Sequence, residues 1–232
     1  MLPRRRWIQP TPKLGKAKVI KGDITSSPAA LILQSLLEVD PSDRQEFFNL
    51  SYVNFPTNLK PENHPGEMAL AIFQTNAVAA GDGVGVFPRM ARLNHGCSSA
   101  FNVVYTWREW EKVLVVYALK SIRKGEELLT TYTNTKRPRD QRRAFLEERY
   151  GFFCTCVVCS LSDEQSRKSD KRLQAISDLY ERFATWGTGG IDGREAIGIV
   201  RDIWKLEDEE GYWSERGRLT ADAAWVAASH SE

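Results

Sequence analysis

Three cysteines stand within six residues of one another in the stretch YGFFCTCVVC (150–159). Cys154, Cys156 and Cys159 are spaced as C-x-C-x2-C, and zinc in a structural site takes four ligands arranged as a tetrahedron. Three thiolates therefore require a fourth ligand from another part of the chain. The candidates are the remaining cysteine and the three histidines of the sequence, Cys97, His64, His95 and His230.

The cysteines are predicted to be reduced, which favours a metal site over disulfides. No apolar run reaches the length that spans a bilayer, and the first residues, MLPRRRWIQPTPK, lack the apolar stretch of a secretory signal. We therefore expect an intracellular protein, in the nucleus or the cytoplasm, where thiols stay reduced. The alternative is that the cysteines are ordinary buried residues without a role.

Composition and charge exclude some classes of partner. The 232 residues are 42% hydrophobic and 27% charged, which is typical of a globular protein. A formal net charge of +2 creates no field that would attract nucleic acid or a membrane, and the three arginines at positions 4–6 are interpreted as a solvated terminus. We expect a monomer with neither partner. A zinc-dependent nucleic-acid binder is disfavoured because a second finger-like ligand pair is missing.

The central part of the chain, which must position the cysteines, is predicted to be rich in β-strands. AFNVVYTW (100–107) and KVLVVYALK (112–120) predict a hairpin, and GEELLTTY (125–132) predicts a third strand. Further stretches are a strand or helix at 28–40, helices at 41–50 and in RPRDQRRAFLEERY (137–150), and a turn in GDGVGVFP (81–88).

The C-terminal part is predicted to be helical. Residues 161–171 are polar and are interpreted as a linker. Three amphipathic helices follow, with the apolar positions Leu173, Ile176, Tyr180 and Phe183, then Ala196, Ile199, Val200 and Ile203, then Leu219, Ala223 and Val226. Gly187 is predicted to end the first of them, and Asp192 with Glu195 to form a capping box before the second.

Four stretches, in this order, resemble one family. They are LNHGC (93–97), IRKGEELLTTY (122–132), RRAFLEERY (142–150) and YGFFCTCVVC (150–159). Together they resemble the SET-domain protein lysine methyltransferases, and in particular the SMYD-like and fungal SET proteins with a cysteine-rich post-SET segment. The resemblance is close over about residues 67–160.

The resemblance implies an α+β fold: a β-rich SET fold of short strands, a zinc-binding post-SET segment and an α-helical C-terminal appendix. The expected organisation is a basic, irregular N-terminal segment at 1–18, a SET domain at 19–135, a post-SET zinc segment at 136–160 and a helical region at 161–232. In the family the cysteine of NH-x-C completes the zinc site. The implied ligands of one structural zinc ion are Cys97, Cys154, Cys156 and Cys159.

The resemblance also implies a reaction, in which a methyl group passes from S-adenosylmethionine to the ε-amine of a lysine in a protein substrate, histone or not. Tyr132 matches the catalytic tyrosine, and Tyr150 matches an aromatic residue of the lysine channel. The residues assigned to the cofactor are Asn94, His95, Phe152 and Asn76. An ammonium has no lone pair, so the channel must favour the neutral amine, as a dry aromatic wall does.

Two parts of the family pattern are missing from the sequence. The glycine segment that embraces the cofactor is not found, and the nearest stretches are LGKA (14–17) and VIKGDI (19–24). After NH-x-C the usual Pro-Asn turn is replaced by SSA (98–100). The alternative hypothesis is therefore a catalytically impaired SET-like interaction module that keeps the zinc staple but not cofactor binding.

Overall fold

The computed structural model describes residues 27–230, which form seven α-helices and six short strands. The helices are α1 Pro28–Leu37, α2 Pro41–Phe48, α3 Pro65–Asn76, α4 Arg139–Tyr150, α5 Asp163–Ala184, α6 Gly193–Glu210 and α7 Arg216–His230. The strands are β1 Val78–Ala80, β2 Gly83–Gly85, β3 Asn94–His95, β4 Val103–Arg108, β5 Val113–Ala118 and β6 Leu129–Thr130. The predicted N-terminal segment 1–18 and the stretches at 14–17 and 19–24 lie outside the described residues.

The chain divides into two units. Of the described residues, the first unit comprises residues 27–91 together with Thr106–Val115, and the second comprises Arg92–Tyr105 together with residues 116–230. Every residue that the sequence assigns to the site belongs to the second unit, except Asn76, which belongs to the first.

In the first unit, prolines and capping side chains begin the helices. Ser27 accepts a hydrogen bond from the backbone N–H of Ala30 at 3.2 Å, and Asp40 accepts one from that of Ser42 at 2.9 Å. Residues 28–40 are thus mainly helix, which settles the choice between strand and helix. The helices bury a common apolar core of Ile32, Leu36, Phe47, Leu50, Ala69 and Ile72. The predicted turn lies between β1 and β2, which pair antiparallel around Gly81.

In the second unit, β3 and β6 pair in parallel, with Asn94 opposite Leu129 and His95 opposite Thr130. The third strand predicted at 125–132 is therefore reduced to two residues. The start of β6 is held by the buried Asn102, which accepts from the backbone N–H of Leu129 at 2.9 Å and donates to the carbonyl of Glu127 at 2.8 Å. The predicted hairpin forms as β4 and β5, whose residues are divided between the two units.

The three predicted C-terminal helices are present as α5, α6 and α7. Their shared core is Ile176, Ile199, Val200, Ile203, Leu219 and Ala223. Asp192 caps α6 by accepting from the backbone N–H of Glu195 at 2.8 Å, which confirms one half of the capping box. The linker prediction for 161–171 is wrong: Ser162 caps α5 and the helix runs from Asp163, and its polar first turns bury small serines, Ser166 and Ser169, in place of apolar side chains.

The predicted end of α5 is also wrong. The helix stops at Ala184, a 3-10 turn covers Thr185–Thr188, and the left-handed cap is Gly189, with φ of 76°, rather than Gly187. Gly187 is inside the 3-10 turn. The residue that ends this turn must tolerate positive φ, as glycine does. The sequence offers three glycines in this stretch, so it does not specify which of them ends the turn.

The fold is a mixture of helices and short strands, so the description as β-rich overstates the strands. The strands are two to six residues long, whereas the α-helices have eight to 22 residues. Within residues 27–230, no helix is both long enough and apolar enough to cross a lipid bilayer.

Candidate active site and metal centre

The cysteine-rich loop begins where α4 ends. Gly151 adopts φ of 69° and donates its backbone N–H to the carbonyl of Glu147 at 2.9 Å, which closes the last turn of the helix. The chain then leaves the helix axis and forms the loop 152–159. Two carbonyls of this loop accept from Arg143 of α4, that of Cys154 at 3.1 Å and that of Cys159 at 2.7 Å. One guanidinium thus holds both ends of the loop against the helix.

The four cysteines meet in one cluster. Their sulfur atoms all lie within 4.8 Å of one another, with Cys97 at 4.0 Å from Cys154 and at 3.6 Å from Cys159. Four thiolates around zinc, each about 2.3 Å from the ion, would be about 3.8 Å apart. The donor set and spacing therefore fit a tetrahedral thiolate site. Of the four ligand candidates left open by the residues alone, Cys97 is the one that joins the cluster.

The four thiols affect one another's pKa. Hydrogen bonds to the thiols of Cys154, Cys156 and Cys159 raise the pKa of Cys97, whereas hydrogen bonds from Cys156, Cys159 and Cys97 lower the pKa of Cys154. All four cysteines are free of disulfides. A divalent cation that enters such a cluster displaces protons and binds thiolates.

His95 connects the cluster to Tyr132. Its Nδ1 accepts the backbone N–H of Tyr132 at 3.0 Å, so the ring proton is on Nε2, which donates to the sulfur of Cys97 at 3.1 Å. Both ring nitrogens are therefore engaged, and neither is available as a metal ligand or as a base. The other two histidines have partners of their own: His64 bonds the carbonyl of Lys60, and His230 bonds Trp186.

Tyr132 lies in a cluster of aromatic rings with its hydroxyl fixed. The hydroxyl donates to the carbonyl of Leu93 at 2.5 Å. Its ring centre is 5.0 Å from that of Tyr150, 5.4 Å from that of His95 and 6.5 Å from that of Phe152. Burial raises the pKa of Tyr132, and the neighbouring Tyr150 adds to the shift, so the hydroxyl stays protonated at neutral pH.

Pairing of β3 with β6 explains why these residues meet. His95 is on β3, and Tyr132 follows β6 by two residues, so the parallel pair brings them side by side. The backbone N–H of Gly96 donates to the carbonyl of Thr130 at 2.8 Å, which extends the pairing towards Cys97. Gly96 is required there, because an added Cβ would lie 2.8 Å from the backbone nitrogen of Phe101.

The remaining assigned residues are placed as follows. The exposed Asn94 donates its side-chain amide to Glu127 at 2.7 Å. Phe152 is half-buried, with its ring 6.2 Å from that of His95. Asn76, in the first unit, donates to the carbonyls of Ser51 and Ile72, both at 2.8 Å. The second unit therefore assembles the assigned residues except Asn76.

Two of the four arginines of α4 also belong to the surroundings of the site, and the sequence pattern did not predict them. Arg143 donates hydrogen bonds to two carbonyls of the cysteine loop, and the preceding residue, Arg142, is wholly buried. A signal was present, since an arginine at position 142 shares a helix face with Leu146, four residues later, and both precede the cysteines. Basic residues on a helix are usually solvent-exposed. The sequence pattern therefore predicts a helix but not the burial of one of its arginines.

Comparison with known proteins finds sequences similar to this chain. Residues 35–133 match the family model described as SET domain. Histone-lysine N-methyltransferase set5 of Schizosaccharomyces pombe is 32% identical over 152 residues, which cover 65% of this chain and 44% of that protein. Histone-lysine N-methyltransferase SET5 of Scheffersomyces stipitis is 40% identical over 116 residues, 50% of this chain and 24% of that protein. N-lysine methyltransferase SMYD2 of Homo sapiens is 32% identical over 109 residues, 44% of this chain and 24% of that protein. The chain spans less than half the length of each of these relatives.

Proposed function

Because the chain belongs to the SET-domain family of lysine methyltransferases, we propose that it is an S-adenosylmethionine-dependent protein-lysine N-methyltransferase. The observation that carries the proposal is the environment of Tyr132. Tyr132 is partly buried, its protonated hydroxyl is oriented by a hydrogen bond to the carbonyl of Leu93, and its ring packs against Tyr150. A fixed phenol among aromatic rings suits the alignment of an amine with a methyl donor.

The residue types near Tyr132 fit the cofactor. Phe152 offers an aromatic face for an adenine ring, and Asn94, His95 and Asn76 are the further residues assigned to hold it. S-adenosylmethionine supplies, when bound, the methyl group that the lysine nitrogen receives.

The role of the aromatic residues is to orient and dehydrate the lysine. Tyr132 and Tyr150 form a partly buried wall with ring centres 5.0 Å apart. Such a wall excludes water, which lowers the pKa of an inserted ammonium and favours the neutral amine that can attack. The proton of the ammonium leaves to solvent before the attack, since the Tyr132 hydroxyl already carries its own proton.

We further propose one structural zinc ion held by the four thiolates of the cysteine cluster. The metal joins the β3 region to the loop after α4, and so keeps Tyr150 and Phe152 beside Tyr132. The substrate is a protein with an accessible lysine, histone or non-histone, methylated by a monomeric enzyme in the nucleus or the cytoplasm, with no membrane and no direct nucleic-acid partner.

The alternative, an impaired SET-like module, has no support in the comparisons, since the relatives named above are all methyltransferases by name. Calorimetric titration of the zinc-loaded chain with S-adenosylhomocysteine separates the two hypotheses. The enzyme is expected to bind with a Kd in the micromolar range, about −8 kcal/mol. A folded, zinc-loaded sample that binds none of it would refute the enzyme and favour the module.

Methyl transfer itself is tested with Tyr132→Phe. With labelled S-adenosylmethionine and core histones or lysine-rich peptides as acceptors, we expect kcat to fall about 100-fold or more, because the positioned hydroxyl is lost. S-adenosylhomocysteine affinity should change little. Tyr52→Phe, in the core of the first unit, is the matched control and should turn over as the wild type does. Unchanged turnover in Tyr132→Phe would remove Tyr132 from the catalytic role.

A further inference from the structure

The stretch SSA (98–100), where the sequence departs from the family pattern, forms a tight turn. It is a single 3-10 turn, in which the backbone N–H of Ala100 donates to the carbonyl of Cys97 at 2.7 Å. Ser98 begins the turn with φ of 41°, although it is not a glycine. A residue with a Cβ is disfavoured in this left-handed region, so contacts from elsewhere must hold Ser98 there.

The end of α6 provides those contacts. The buried hydroxyl of Ser98 donates to Oε1 of Glu210, the last residue of α6, at 2.9 Å. Two residues later, Tyr212 packs edge-on against Phe101, with the ring centres 6.0 Å apart. Phe101 follows the turn directly, and all four of these residues are buried. The turn therefore lies against the end of α6.

The carboxylate of Glu210 is also held from α5. Ser169 donates to the same Oε1 at 2.5 Å, and Arg172 donates to Oε2 at 2.9 Å. Both bonds are formed without the turn, so they fix the position of the carboxylate independently of Ser98. Glu210 is thus a fixed acceptor to which the hydroxyl of Ser98 binds.

The turn is connected to the candidate active site through Cys97. Ser98 follows Cys97 directly, and the sulfur of Cys97 accepts from Nε2 of His95 at 3.1 Å. Nδ1 of the same ring accepts the backbone N–H of Tyr132 at 3.0 Å. A change of backbone conformation at Ser98 therefore reaches Tyr132 through one peptide unit and two hydrogen bonds.

We propose that Glu210 is a positioning residue of the active site: it holds Ser98 in the left-handed turn and thereby fixes the ring of His95 and the backbone of Tyr132. The effect on turnover rests on the proposed function, whereas the effect on His95 does not. The helical region then supports the chemistry of the site through the end of α6.

A purely structural role for Glu210 makes a different prediction. Ser98 and Ser169 are both 1% exposed, and both donate to the same oxygen of Glu210. If the carboxylate only joined elements together, loss of either hydroxyl would have the same consequences. If it positions the site, loss of the Ser98 hydroxyl disturbs His95, and loss of the Ser169 hydroxyl does not. Ser169→Ala is therefore the matched control for Ser98→Ala.

The side-chain nitrogen signals of isotope-labelled histidine test the proposal directly, because the chain has three histidines. In the zinc-loaded wild type we expect His95 as a single tautomer with its proton on Nε2. In Ser98→Ala its signals should shift or broaden, because the turn relaxes towards negative φ. Those of His64 and His230 should not change. Ser169→Ala should leave all three residues as in the wild type.

Turnover is the second readout. We expect Ser98→Ala to lower kcat about 10-fold, because a displaced Tyr132 aligns the bound amine less well. The KM for an acceptor peptide should stay within about twofold of the wild type, since the peptide still binds. Ser169→Ala should keep the wild-type kcat and KM. A Ser98→Ala variant with wild-type kcat in an active enzyme would contradict the proposal.

Ser98→Gly separates the backbone conformation from the buried contacts. Glycine adopts a φ of 41° without strain, so its His95 signals and its kcat should lie closer to the wild type than those of Ser98→Ala. Loss of buried contacts alone predicts the opposite order, because glycine removes one more buried carbon. A Ser98→Gly variant disturbed as much as Ser98→Ala, or more, would overturn the proposal.

Glu210→Ala should shift the same His95 signals as Ser98→Ala. If Glu210→Ala does not fold, the two Ser98 variants and Ser169→Ala decide. Undisturbed His95 signals in Ser98→Ala, or an equal disturbance in Ser169→Ala, would refute the role of Glu210. A wild-type chain that transfers no methyl group refutes the proposed function alone, and the His95 signals still test the inference.

Discussion

At the scale of the residue, Tyr132 is defined by one hydrogen bond and by burial. Its hydroxyl donates to the carbonyl of Leu93, and burial keeps its pKa above the ordinary value for tyrosine. A phenol in this state can orient a reacting group but cannot act as its base. Proton removal from the substrate lysine must therefore be controlled by solution pH.

The pH dependence of turnover follows from this state. We expect log(kcat/KM) to rise with a slope of about +1 from neutral pH towards the lysine pKa of about 10.4, because the neutral amine is the reactive form. The raised pKa of Tyr132 means that its ionisation does not interrupt the rise. Tyr132→Phe should lower the whole profile without changing its slope, and a changed slope would identify Tyr132 as a titrating base.

His95 illustrates how geometry limits the role of a residue. A histidine next to a catalytic tyrosine invites the interpretation of a general base. Here Nδ1 accepts from the backbone of Tyr132 and Nε2 donates to Cys97, so no ring nitrogen is left for a substrate. The ring instead links the sulfur of Cys97 to the backbone of Tyr132 through two hydrogen bonds, and so helps to fix the position of Tyr132.

At the scale of the element, the end of α6 is tied to the loop of Cys97 by the buried carboxylate of Glu210. Ser98 donates to its Oε1 at 2.9 Å, and Ser169 of α5 donates to the same oxygen at 2.5 Å. Arg172 of α5 donates to its Oε2 at 2.9 Å. One carboxylate thus joins the helical region to the loop that carries Cys97.

Removal of this carboxylate should destabilise the second unit. We expect Glu210→Ala to lower the free energy of unfolding by about 3 kcal/mol, because three donors lose a buried acceptor. Glu209→Ala, at the exposed neighbouring position, should change it by less than about 0.5 kcal/mol. Urea unfolding of the zinc-loaded protein measures both values. Equal effects in the two variants would contradict the role given to Glu210.

At the scale of the whole molecule, the cysteine cluster connects distant parts of the sequence. Cys97 and Cys154 are 57 residues apart in the chain, and their sulfurs are 4.0 Å apart. The apolar cluster around them is small, with Leu146 and Val158 as its buried aliphatic residues. The metal is therefore expected to supply much of the free energy that holds the loop 152–159 in place, on the order of 10 kcal/mol for zinc with cysteine ligands.

Metal removal should release this loop before the rest of the second unit unfolds. After treatment with a strong chelator we expect chymotrypsin to cut first at residues 150–153, because loss of the metal exposes that backbone. All four thiols should become reactive towards a thiol reagent. The α5–α6–α7 core contains no metal ligand and should retain its helical circular dichroism. Identical cleavage before and after chelation would contradict the predicted role of the metal.

The sequence by itself determined the features that depend on local spacing. The C-x-C-x2-C spacing indicated the metal loop, and apolar periodicity located the last three helices, because both signals are contained in a few consecutive residues. The order of four motifs was sufficient to predict the family. The polar start of α5 and the glycine that ends it were predicted wrongly, since several residues nearby offer similar local signals.

Only the tertiary structure decided which distant groups meet. Residues alone left Cys97 and three histidines as possible fourth ligands, and the fold places the sulfur of Cys97 within 4.8 Å of the other three cysteine sulfurs. The sequence did not predict the burial of Arg142 or Glu210 either. A charged residue on a helix is expected to be solvent-exposed unless its partners from other elements are known. Such contacts join residues far apart in sequence, and no local pattern specifies them.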